Sequence, residues 1–130
     1  MDALGPSMTI RHPDMREELK DALRGLADDR WAQRKAADPA LEPPDFFLDV
    51  SNALHAIEDV ARPAGEYVGT SLADTDEAAL ITAVFDAWEA VAADVGPRAP
   101  DAVIYASPAW PGVIAASRAA LARLDEHDAT

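Results

Sequence analysis

The sequence predicts an all-α protein, a compact bundle of about four main helices joined by Pro-rich connectors. Three observations predict it. Apolar residues recur about every 3.6 positions in four long segments. Pro, Gly and Asp fall between those segments, at places where helices start and stop. Ala is the commonest residue and aromatics make up only 6% of the chain, which implies close-packed helices with few large anchors.

Met1–Arg11 reads as a flexible leader. Pro13 then suits a first helical turn, where its missing N–H costs nothing. Met15, Leu19, Ala22, Leu23 and Leu26 repeat at helical spacing behind it, with Glu17, Lys20, Asp21 and Arg24 on the other face. The helix either runs through Asp28-Asp29 or restarts there, because Arg30–Ala37 also has helical propensity. Asp38-Pro39 stops it, since a residue before Pro disfavours helical geometry. Pro43-Pro44 marks an extended connector.

Phe47, Val50, Leu54, Ile57 and Ala61 define the next stripe, and Pro63 and Gly65 end it. The following loop, 62–73, contains Tyr67 and Val68 and could hold a short strand that has no evident partner. Asp74 is a good N-cap with Glu77 three residues on, in the manner of a capping box. The longest helix follows, with Leu80, Ile81, Val84, Phe85, Trp88, Val91, Ala92 and Val95 on its apolar face. Gly96-Pro97 stops it. A short turn around Tyr105 precedes the last helix, which opens near Ser107-Pro108 or Trp110-Pro111. Its buried side is Val113, Ile114, Ser117, Ala120, Leu121 and Leu124. Trp88 and Trp110 are expected in the core, and the chain after Asp125 is expected to fray.

These elements make one helical domain over 12–125, with a flexible tail at 126–130. A chain of 130 residues can bury a real core without metal or disulfide support. It has no Cys, so thiolate chemistry is absent. No stretch approaches the roughly 20 apolar residues of a membrane span, and Met8 and Ile10 are too sparse for a secretory signal. The expected location is cytoplasmic.

The charge is uneven. Leu41–Ala102 holds thirteen acidic and two basic residues, a net of −11 within a chain total of −13. The flanking segments are nearly balanced. Such a region repels nucleic acid and anionic membrane and attracts basic proteins. The basic cluster Arg30, Arg34 and Lys35 beside Trp31 is expected to pair with it inside the molecule.

Catalytic signatures are weak. His55 has Glu58 and Asp59 at i+3 and i+4, which puts an imidazole and carboxylates on one helix face. Ligands from a single helix make an incomplete metal site, and a solvated face is the simpler reading. His12 sits at a helix entrance and His127 in the tail. Ser51 and Ser107 lie in no Gly-x-Ser-x-Gly elbow, so capping or packing accounts for them. The acidic pairs Asp28-Asp29 and Asp76-Glu77 fall at exposed helix ends, where they read as charge that complements a helix dipole or as a solvated face. No catalytic, cofactor or metal residue is assigned.

Three segments carry a resemblance: HPDMREELKDALRGLADDRW from His12, VGTSLADTDEAALITAVFDAW from Val68, and YASPAWPGVIAASRAALARL from Tyr105. Together, with the Ser107-Pro108-Ala109-Trp110-Pro111 run as the most specific motif, they resemble a group of small uncharacterised helical proteins frequent in actinobacteria. That group is similar to acidic immunity-type proteins that neutralise a toxin domain. The resemblance implies a non-enzymatic, immunity-like or regulatory binding module without cofactor, whose partner is a basic protein such as a toxin domain. Asp45, Asp49, Glu58, Asp59 and Glu66 are the expected contact residues. Two alternatives stay open: a small metal-binding or enzymatic domain around His55, and a structural domain that self-associates as a homodimer through an Ala-rich helix face.

Overall fold

In a computed structural model, residues 10–129 are described. The all-α expectation holds, with more helices than about four. Six α-helices occur among the described residues: α1 Pro13–Leu26, α2 Asp29–Ala37, α3 Val50–Ala61, α4 Thr75–Val95, α5 Asp101–Ala106 and α6 Trp110–Asp128. Short 3₁₀ turns at Phe46–Leu48 and Ala64–Tyr67 supplement them. None of these helices is long and apolar enough to cross a membrane.

The extra helices have local causes. The first apolar segment breaks in two because the Asp28 side chain accepts the Trp31 N–H at 2.8 Å and starts α2 afresh. The turn around Tyr105 closes as α5. In the loop before α4, no strand forms. The Tyr67 carbonyl instead gathers the N–H groups of Thr70, Ser71 and Leu72, leaving one isolated bridge between Val68 and Leu72.

Helix α1 lies between α3 and α6, α4 packs chiefly on α6, and α2 packs on α5. Leu19, Ala22 and Leu23 of α1 are fully buried, as are Ile57 of α3, Ile81 and Val84 of α4, and Val113 and Leu124 of α6. The α1 contact is close at Gly25. A Cβ there would stand 2.0 Å from the carbonyl oxygen of Phe47, a backbone atom that cannot give way. Gly96 ends α4 at φ +93°, which an L side chain adopts only under strain.

Three expectations change. Trp88 is half-buried rather than a core residue, while Trp110 is 2% exposed as expected. The basic cluster forms no close ion pair with the acidic stretch among the described residues, although the charge of Lys35 acts on Asp101. Arg30 and Arg34 form no ion pair among the described residues, and Lys35 donates to the Pro39 and Leu41 carbonyls. Trp31 turns inward, its indole N–H donating to the Leu48 carbonyl at 2.9 Å. Finally, α6 does not fray after Asp125 but runs through Asp128. At the other end, the Arg11 and His12 N–H groups donate to the Gly69 and Thr70 carbonyls, so residues 11–12 are tied to the domain. Of the leader expected over residues 1–11, residues 1–9 lie outside the described residues.

Candidate functional site

The extension of α6 creates a polar cluster at the meeting of α1, α4 and α6. Glu77, in the first turn of α4, is fully buried, and Arg16 of α1 is 4% exposed. The guanidinium grips the carboxylate with both ends, Nη1 to Oε1 at 2.7 Å and Nη2 to Oε2 at 2.8 Å. Oε1 also accepts the Ala73 N–H at 2.7 Å, and Oε2 lies 2.5 Å from His127 Nδ1. Four partners thus occupy the roughly four acceptor positions of a carboxylate. Arg16 Nε donates to Asp128 at 3.0 Å, and Lys20 reaches Asp128 at 2.8 Å and Asp125 at 3.0 Å.

Burial alone would push the Glu77 carboxyl up. The bonds from Arg16, Ala73 N–H and His127, with the charge of Arg16, outweigh it and hold the carboxyl below its usual range. Arg16 and Lys20 are likewise held above their usual values, because their carboxylate partners overcome desolvation. A depressed acid contributes stability that is present above its unfolded pKa and lost as pH falls through the folded value. Stability is therefore expected to be level near neutrality and to fall below about pH 4. Urea midpoints at neutral and acid pH check this. The acid limb should be shallower in Glu77→Gln, and an unchanged limb would contradict the assignment.

Asp74, Glu77 and His127 bring one ligand atom each within 4.8 Å of one another, a spacing that would suit a cation. The charge on Arg16, 2.7–2.8 Å from the Glu77 oxygens, opposes one. The chemistry of the cluster is that of a clasp joining three helices. His55, Glu58 and Asp59 do not form such a group among the described residues.

The expected contact residues occupy the two ends of α3. Asp45 and Asp49 are helix caps, accepting the N–H groups of Phe47 at 3.1 Å and Asn52 at 2.9 Å. Ten residues on, about 15 Å along the helix, lie Glu58 and Asp59. Glu58 pairs with Arg62 at 3.1 Å, and Asp59 is exposed. The Tyr67 hydroxyl donates to the Asp59 carbonyl, which draws the turn carrying exposed Glu66 back toward this end. The five therefore form two groups and not one patch. Ser107 is a packing and capping residue as expected, donating to Asp94 at 2.7 Å and accepting the Ala109 N–H at 3.2 Å.

A cleft of about 450 Å³ opens between α3, α4 and the connector into α5. Leu54, Phe85, Trp88 and Ile104 supply its apolar lining, with His55, Glu58, Glu89 and Asp101 among the polar groups. Both arginines of the acidic stretch, Arg62 and Arg98, also line it. Arg62 stacks on Phe85, its Cζ 4.4 Å from the ring centroid. Asp101 accepts the Val50 N–H at 3.1 Å. Burial pushes its carboxyl up and the charge of Asp49 adds to the rise, while that bond and the charge of Lys35 lower it, leaving it above the usual range.

Clasp, cleft and all six helices lie at or beyond the tethered residues Arg11 and His12. A family model described as a domain of unknown function, DUF7945, matches residues 10–130. The chain belongs to this family. The DUF7945 match thus takes in the complete helical unit, from the segment bonded to Gly69 and Thr70 to the last helix with His127 and Asp128. No curated protein and no solved structure is detectably similar to the chain.

Proposed function

We propose that this protein is a non-enzymatic binding module, immunity-like or regulatory, that presents an acidic surface to a basic protein partner. One observation carries the reading. Of the thirteen acidic residues in Leu41–Ala102, only Glu58, Asp74, Asp76 and Glu77 have ion-pair partners among the described residues, which leaves nine unneutralised. Helix α4 alone carries five acidic and no basic residues, with Asp76, Asp86, Glu89 and Asp94 exposed. Charge of this kind speeds encounter with a basic partner and excludes wrong ones more than it adds affinity.

The test is association with the product of the adjacent gene at two salt concentrations. A variant with Asp45, Asp49 and Asp59 changed to Asn and Glu66 to Gln should associate more slowly and with a weaker salt dependence. Its fold should persist, because Asn caps a helix about as well as Asp. Equal rates and equal salt slopes for parent and variant would withdraw the interface.

A further inference from the structure

We infer that the cleft between α3 and α4 takes an arginine side chain of the partner, laid on the Trp88 indole and met by Glu89 and Asp101. The inference rests on the binding-module reading above and gives that surface its anchor point.

Three features of the cleft support it. Trp31 and Trp110 are 5% and 2% exposed, whereas Trp88 is half-buried in the cleft wall. The cleft already holds one guanidinium in this manner, since Arg62 lies 4.4 Å over Phe85 with Glu58 at 3.1 Å. Arginine stacks on aromatic faces while offering its N–H groups to a carboxylate. The remaining charge favours a cation. With Arg62 and Glu58 satisfied by each other, Glu89 and Asp101 have no ion pair among the described residues, against one unpaired cation in the cleft lining, Arg98, although the charge of Lys35, outside the lining, also reaches Asp101. The chain's net −13 adds to the attraction.

A part-exposed aromatic that receives an arginine is a usual element of an interface hot spot.

The test uses N-acetyl-arginine amide, with N-acetyl-glutamate amide as its anionic counterpart, titrated into ¹⁵N-labelled protein. Trp88→Phe assigns the Trp88 indole resonance. The arginine compound should move that resonance saturably and leave the Trp31 and Trp110 indoles in place. Glu89→Gln should weaken the binding about three- to tenfold, and Glu126→Gln, on α6, should leave it unchanged. Circular dichroism confirms that each variant is folded. Absence of a saturable Trp88 response, or a larger response to the glutamate compound, would overturn the inference. A partner that associates through the acidic surface while the Trp88 resonance stays still would overturn this anchor alone. A Trp88 response to arginine without any partner association would leave the anchor standing and remove the reading on which it rests.

Discussion

Glu77→Ala is expected to lower the unfolding free energy by about 3–5 kcal/mol, the usual cost of removing one member of a buried ion pair. The loss exceeds that of a surface pair because Arg16, 4% exposed, would be left with its charge buried. Asp128 and the Ser71 carbonyl, each 3.0 Å away, remain as its partners and set a limit on the damage. Replacing both residues by apolar ones, Arg16→Met with Glu77→Leu, should cost much less than the single change, because it removes the desolvation penalty along with the attraction. Urea unfolding of the two variants measures the difference. A loss below about 1 kcal/mol for Glu77→Ala, the range of exposed pairs, would mean that the clasp does not hold the helices together.

Trp110→Ala is expected to cost a similar amount, about 3–5 kcal/mol, for a different reason. The ring is 2% exposed and meets Tyr105 edge-on with centroids 5.0 Å apart. Tyr105 in turn donates to the Leu48 carbonyl at 2.8 Å and accepts from the Trp31 indole at 3.2 Å. A cavity at Trp110 therefore loosens the point where α2, α5 and α6 meet. The Trp110 indole N–H has no hydrogen-bond partner among the described residues, so the side chain contributes through packing and Trp110→Phe should recover most of the loss. A Phe variant as unstable as the Ala variant in urea unfolding would contradict that account.

Much of this architecture was legible in the residue pattern. The stripe Phe47, Val50, Leu54, Ile57, Ala61 and the stripe Val113, Ile114, Ser117, Ala120, Leu121, Leu124 face the core as their spacing predicts, all buried except Phe47 and Leu121, which are part-buried. The Asp74 cap and the stop at Gly96 fall where local backbone chemistry puts them. The clasp is not legible from local spacing alone, although Glu77 carries a signal of it. Glu77 precedes Ile81 by four and Val84 by seven, so it belongs to the apolar face of α4, yet its position in the first turn made it look like an exposed dipole charge. It does act near a cap, but its carboxylate accepts from Ala73 N–H and not from the capping residue itself. Trp88 failed in the opposite sense. It shares the α4 stripe, but α6 covers that stripe only in part, and the groove toward α3 leaves the ring half open.

The sequence by itself determined the helical class, the order of the long helices and the uneven charge, because periodicity, capping and composition act over a few residues. Tertiary structure alone decided which charges are hidden and which are displayed. Arg16, Glu77 and His127 are 61 and 50 residues apart in successive steps along the chain, and only the packing of α1, α4 and α6 brings them together. A buried carboxylate survives there because three distant donors and a backbone N–H satisfy it, and no local rule counts partners supplied from so far away.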